Sequence, residues 1–258
     1  MGVKPAKRRS RKTAPRAQRP GTGAESTSTE LLWGRTARPR PGPKASLTTS
    51  GIATVAIAIA DAEGLAAVSM KRIADSFGFT TMSLYRYVPG KTELVDLMFD
   101  TAMGPPPSLA GGVGGWRPKL ERWTRALWSK VLRHPWALEV LTRLRVPGPN
   151  ELAWMESGVA ALAETRLSGP VMLDVLFVLV GQIRGAAQYA VNPPESGHRM
   201  TAEQWADGVN ALLQLHGRDF PALRAAVATG ALQQSGDPLD FGLHCVLSGL
   251  ETLVTSAG

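Results

Sequence analysis

Thr81, Met82, Ser83, Tyr85, Arg86 and Tyr87 crowd into one short run, and they form no catalytic set. Their chemistry is that of recognition. A guanidinium bonds guanine O6 and N7 as a fork. A methionine or threonine methyl can meet a thymine methyl, and hydroxyls reach base edges or phosphate oxygens. Within the run Leu84 and Val88 stand four apart, which puts both on one side of a helix. Met82, Ser83, Tyr85 and Arg86 then project largely away from that side. A short helix with one apolar edge and one cationic, aromatic edge suits the major groove of a DNA duplex. Leu84 and Val88 are read as core. An apolar Met82 on the outer edge requires a partner. Tyr87 as half-buried packing and Arg86 as a solvated cation stay open as competing readings.

Other chemistries find little support. His134, His198, His216 and His244 are scattered and share no ligand spacing, so no metal centre is expected. No Gly-x-Ser-x-Gly elbow is present, and Cys245 has no plausible histidine partner. As the one cysteine it excludes an intrachain disulfide and a cysteine-based zinc site, which fits a reducing cytoplasm. Gly111-Gly112-Val113-Gly114-Gly115 lacks a preceding strand and a Gly-Lys-Ser/Thr ending, so it reads as linker rather than phosphate loop. The expectation is a binding protein, not an enzyme, with no cofactor.

The recognition run needs a scaffold, and Ser69–Lys91 (SMKRIADSFGFTTMSLYRYVPGK) supplies it. Ile73, Ala74 and Phe77 recur at helical spacing, Gly78 permits a positive-φ turn, and Thr80 or Thr81 can cap the second helix. Before this unit a helix over Leu47–Glu63 carries Ile52, Val55, Ala56, Ile59 and Ala60 as one stripe and ends at Gly64. After it a helix over Lys91–Met103 carries Leu94, Leu97 and Met98 and stops before Pro105-Pro106-Pro107. Lys71 and Lys91 can neutralise phosphates and fix register without reading sequence.

The segment from about Leu47 to Met103 resembles the DNA-binding domain of the tetracycline-repressor (TetR) family of transcriptional regulators. The resemblance is carried by Ala56–Met98: a helix ending in Glu63-Gly64-Leu65, the turn Phe77-Gly78-Phe79, the run Ser83–Val88, and Lys91 followed by Leu94. Phe77 and Phe79 depart mildly from the aliphatic residues usual around this glycine. Gly-Trp-Arg-Pro at 115–118 and Arg133-His134-Pro135-Trp136 look like members with a tetracycline-repressor-like C-terminal domain. The resemblance implies DNA contacts around Lys71, Thr81–Ser83, Tyr85–Tyr87 and Lys91. It also implies a homodimer built by the last long helices, a near-palindromic operator on double-stranded DNA, and a small-molecule effector bound in the helical half. A repressor released by a small, largely apolar ligand is the expected function. The alternative is a helical ligand-binding protein whose basic arm binds nucleic acid without sequence preference.

Charge is unevenly placed. Residues 1–45 hold twelve Lys or Arg against Glu25 and Glu30, a net of +10, whereas the remainder has 17 basic and 19 acidic residues, a net of −2. The basicity therefore belongs to the N-terminal segment and points to a polyanionic partner. Residues 1–46 are expected to lack structure in isolation. Regulators of the resembling type can place such arginines in an adjacent minor groove, which is the expectation for Arg35, Arg38 and Arg40; a solvated, solubilising tail is the competing reading for these and for Lys4–Lys12. No apolar stretch follows the basic start, so no signal peptide is expected.

With hydrophobic residues at 44%, the rest can bury a sizeable core. The expected architecture is all-α: a basic arm (1–46), a three-helix helix-turn-helix domain (47–103), a linker (104–115) and a helical ligand-binding and dimerisation domain (116–258). Helices are expected over Trp116–Arg133, Pro135–Arg145, Asn150–Leu167, Pro170–Val191, Thr201–His216, Pro221–Ala228 and Pro238–Ser256, with Asn192–Met200 a mobile loop. For the dimer, Gly181, Gly185, Ala186 and Ala187 offer a small-residue face, and Leu243, Val246, Leu247, Leu250 and Leu253 or Val254 an apolar stripe. Plain buried core is the competing reading. Five of the seven tryptophans fall between 116 and 154. Aromatic and methionine side chains favour ligand sites, so Trp123, Leu127, Met155, Leu179 and Gln182 are the candidate pocket residues. Ordinary core is again the competing reading, except for Gln182, whose amide needs a partner. The apolar run Val171–Ile183 contains Asp174 and Gln182 and is too short to span a bilayer, so no membrane partner is expected.

Overall fold

The computed structural model describes residues 23–34, 47–110, 114–141, 143–190, 201–232 and 236–256. Among them every regular element is helical. In chain order these are α1 (Gly23–Trp33), α2 (Thr49–Glu63), α3 (Met70–Ser76), α4 (Thr81–Tyr85), α5 (Lys91–Met103), α6 (Trp116–Arg133), α7 (Ala137–Leu141), α8 (Pro149–Ala161), α9 (Gly169–Ala190), α10 (Ala202–His216), α11 (Pro221–Ala228) and α12 (Pro238–Ser256).

The head is built as its sequence demands. Thr48 caps α2 by accepting from the Gly51 N–H at 3.0 Å. Ser69 does the same for α3 through the Arg72 N–H at 3.2 Å. Gly78 adopts φ +69° between α3 and α4, a conformation that L side chains resist. Ile52, Ile73, Leu84, Val88, Leu94 and Met98 are fully buried and hold the three-helix unit together. α4 stops at Tyr85, and the chain tightens through bonds from Tyr87 N–H and Val88 N–H to the Leu84 carbonyl. Pro89 explains this early end, because the residue before a proline is pushed out of the helical region.

Head and body share one core. Phe99, Ala102 and Met103 at the end of α5 pack in the same cluster as Trp123, Leu127, Trp154, Leu176 and Leu179 from α6, α8 and α9. The Pro/Gly segment after Met103 is thus a chain connection, not a boundary between two cores. In the body, α6 runs antiparallel to α12. Arg117, at its start, donates to the Leu247 carbonyl (3.1 Å) and pairs with Glu251, whereas Trp128, near its end, donates to Asp237 Oδ2 at 3.2 Å.

Four expectations need correction. Residues 1–46 were expected to lack structure, yet Gly23–Trp33 is helical and packs on α5, with Leu32 buried and Leu31 against the core. Tertiary contact does this, since an isolated helix so short is marginal in water. The helix expected over Pro135–Arg145 shrinks to Ala137–Leu141, and the one expected to reach Leu167 ends at Ala161. The stripe Leu243, Leu247 and Leu250 is buried within the subunit, as are Ala186 and Ala187, so these residues belong to the core. Lastly, α9 has the length expected, but its apolar part is not confined to Val171–Ile183: Gly169–Gln188 is long and apolar enough to cross a membrane by length and composition. Length alone therefore excludes nothing; its packing against α6, α8 and α12 makes α9 the central helix of the body.

Candidate nucleic-acid interface

Most of the residues expected to contact DNA lie on α4 and the turn after it. Leu84 and Val88 point into the head and are fully buried. On the other side Met82 is 76% exposed, Tyr85 and Tyr87 are more than two-fifths exposed, and Arg86 is exposed. Thr81 and Ser83 are half-buried, and Ser83 Oγ lies 3.1 Å from Thr80 Oγ1, which orients both hydroxyls along one edge. Lys71 on α3 and Lys91 at the start of α5 are exposed on either side of α4 in sequence. All eight predicted head residues are thus at least partly accessible. Phe79, in the turn, is also exposed and was not among the predicted contacts. Arg72, next to Lys71, is committed elsewhere: it forms a two-pronged pair with Glu63 across the α2–α3 corner, and that bond holds the Glu63 carboxyl below its usual range. Arg35, Arg38 and Arg40 lie outside the described residues.

What the head can do depends on how it is held. Two polar joints fasten it to the body. At the end of α2, Asp61 Oδ1 accepts from the Trp136 indole N–H at 2.7 Å and lies 2.8 Å from His134 Nδ1. At the end of α5, Asp100 Oδ1 accepts from the Asn150 and Glu151 backbone N–H groups at 2.9 and 3.1 Å. These are first-turn donors of α8, so a side chain of α5 caps α8. The Asn150 amide returns two bonds of 3.0 Å, to the Asp100 carbonyl and to Oδ2. Gly148, where α8 would normally carry its own capping side chain, leaves room for Asp100: a Cβ there would collide with the carboxylate. Finally, the Trp154 indole N–H donates to the Gly104 carbonyl at 2.9 Å. Beside this joint Arg145 pairs with Glu151 at 2.8 Å and lies over the Phe99 ring, 4.1 Å from its centroid. Burial nevertheless raises the Glu151 pKa above the usual carboxylate range, against the pull of Arg145. Sequence reading did not find this joint, because its partners lie fifty or more positions apart. The one signal was the cluster of tryptophans with donors to satisfy.

The five candidate pocket residues do not form one site. Trp123 and Leu127 of α6 and Leu179 of α9 are buried in the common core. There Trp123 donates to the Trp154 carbonyl (2.9 Å) and Ser157 Oγ (3.1 Å), and its ring meets Trp154 edge-on at 5.7 Å. Met155 points the other way, into an open groove of about 470 Å³ lined also by Leu152, Val159 and Leu173. The Gln182 amide lies against Gly242 of α12, where the missing side chain makes room for it. Among the described residues no cluster of side chains could hold a metal ion.

The outward side of α9 and α12 is apolar and uncovered. Phe177 is 61% and Phe241 82% exposed, with Val178 and Leu253 also exposed and Gly181, Gly185 and Gly249 facing open space.

Comparison with known proteins places these features. A sequence profile of the bacterial regulatory proteins of the tetR family matches residues 52–98, and one of the tetracyclin repressor-like C-terminal domain matches residues 107–254. The HTH-type transcriptional repressor DrrR1 of Streptomyces coeruleorubidus is 37% identical over 238 residues, 91% of this chain and 88% of that protein. Among solved structures, the TetR family protein ActR of Streptomyces coelicolor in complex with actinorhodin superposes with a TM-score of 0.69 at 27% identity, over 81% of this chain and 99% of ActR. Its complex with (S)-DNPA gives 0.67 at 27% identity, over 83% of this chain and all of ActR.

Proposed function

This chain belongs to the TetR family of bacterial regulatory proteins, and on that premise we propose that it is a homodimeric repressor that leaves a near-palindromic operator when a small, largely apolar ligand enters its helical body. The observation that carries the reading is the two-sided α4: Leu84 and Val88 anchored, with Met82, Tyr85, Arg86 and Tyr87 turned outward. In the proposed complex Arg86 reads guanine, Met82 and Thr81 contact thymine methyls or base edges, and Ser83 contributes a hydroxyl. Tyr85, Tyr87, Lys71 and Lys91 bind phosphate, and Arg35, Arg38 and Arg40 enter the neighbouring minor groove.

One such helix reads few base pairs, so two heads are needed. The uncovered face of α9 and α12, centred on Phe177 and Phe241, is the proposed subunit contact. DrrR1, a relative of this chain, is a repressor, which supports the same sign of regulation here. ActR is found with two different small molecules, which supports a ligand in the body of this chain. The proposed seat is the Trp123–Leu127–Leu179 cluster. A ligand there displaces Trp123 or Trp154, and Trp154 holds the Gly104 carbonyl at the end of α5. Movement of α8 also drags Asp100 through its cap. The heads then change attitude, and only differential affinity for the two arrangements drives release. The proposed place of work is the cytoplasm.

Footprinting of DNA flanking its own gene tests the reading. An inverted repeat protected in the presence of excess random duplex is the expected result. Equal competition by random duplex would instead favour the helical ligand-binding protein with a nonspecific basic arm.

A further inference from the structure

We propose that α1 is a detachable strap across the joint between head and body, and that it sets the attitude of the recognition helix. The proposal builds on the reading of the chain as a two-headed DNA reader. α1 grips both sides of the joint. Ser28 Oγ donates to Asp96 Oδ2 on α5 at 2.8 Å, and the Trp33 indole N–H donates to the Pro147 carbonyl, just before α8, at 2.9 Å. Leu31 and Leu32 add apolar contact between these two bonds. Asp100 and Trp154 fasten the same two elements from within, so α1 is a further tie over one moving part.

The composition of the latch argues for release as well as seating. Ser28 is 4% and Asp96 5% exposed. A carboxylate is a costly choice for a place buried permanently, because it loses its hydration. It suits a surface that is covered in one state and wet in another. With α1 lifted, α5 presents a hydrated aspartate there instead of one more apolar side chain. The strap has the second property of a two-state element. Eleven residues of polar helix (GAESTSTELLW) do not hold their fold alone, so docking and helix formation occur together. A seated strap favours one head attitude. Any ligand that favours another attitude loosens it, and the coupling is reciprocal.

Two readouts on the full-length dimer test this. The variants are Ser28→Ala with Trp33→Phe, which removes both bonds and no charge, and Ser28→Thr alone, which keeps the hydroxyl. The DNA probe is an inverted-repeat duplex selected by the wild type from a random pool, then remade with its half-sites one base pair closer or farther. Wild type should prefer its own spacing by on the order of tenfold, within the usual range of coupling between sites. The double variant should lose most of that preference while its affinity for a single half-site stays the same, and Ser28→Thr should behave as wild type. Deuterium exchange, read without DNA, should quicken in the double variant at both α5 and residues 143–148. Unchanged spacing preference, or faster exchange confined to α5, overturns the strap. If the wild type selects no inverted repeat, the DNA reading falls, and exchange alone then decides the strap.

Discussion

Arg86 and Leu84 sit two positions apart and answer to different forces. Arg86→Ala removes a forked donor from the outer edge of the head. It should weaken operator binding by about 1–3 kcal/mol and relax preference at one base position, measured by binding to single-substituted operators. Adding Tyr85→Ala should abolish binding and leave the dimer intact by sedimentation. Leu84→Ala instead opens a hole beneath the recognition helix and should cost about 2–5 kcal/mol of stability in denaturant titration. This division was legible in the sequence, because it is local: a four-residue spacing fixes which side chains turn inward. Asp61, His134 and Trp136 were not legible. His134 and Trp136 stood out only within a stretch of family likeness, and the three acquire a shared role only when the fold brings His134 and Trp136 to one oxygen of Asp61.

Helices succeed or fail in this chain by what stands at their ends. Lys91–Met103, Pro221–Ala228 and Pro238–Ser256 could be delimited in the sequence because proline or glycine marks their limits. α1 could not, since its polar sequence carries no helical stripe and its order comes from α5. Asp100→Ala should uncap α8 and cost about 0.5–2 kcal/mol, the usual range for a lost cap, with a matching fall in thermal midpoint. Gly148→Ala should produce a comparable loss by driving a methyl into the carboxylate. Asp96 sets a pH dependence. Burial raises its pKa, and Glu93 adds to the rise; Ser28, Arg145 and Arg143 oppose it. The folded chain therefore keeps this proton to higher pH than the unfolded chain does. The stability it contributes is complete below the unfolded pKa and is lost as pH rises through the folded one. Asp96→Asn keeps an acceptor for Ser28 and cannot ionise. It should flatten the decline in thermal midpoint as pH rises above ordinary carboxylate titration.

At the scale of the whole molecule, the uncovered face and the distribution of charge govern behaviour. If the uncovered face is the subunit contact as proposed, Phe241→Glu, alone or with Phe177→Glu, should shift sedimentation from dimer to monomer and remove binding to the proposed palindrome, because burying an unpaired carboxylate there is unfavourable. Residues 1–22 carry eight Lys or Arg. Their removal should flatten the dependence of log affinity on log salt by about 0.9 for each phosphate they neutralise, and leave it unchanged if they only aid solubility. The cap that α5 lends to α8 has its own outcome for engineering. A DNA-reading module lifted from this chain would depart with Asp100 and leave the effector module with a bare helix start. A foreign module grafted in its place would have to bring an acceptor to that point. Chimeras between regulators of this type should therefore be more stable when the seam falls beyond Glu151 than when it is cut at the inviting run of prolines.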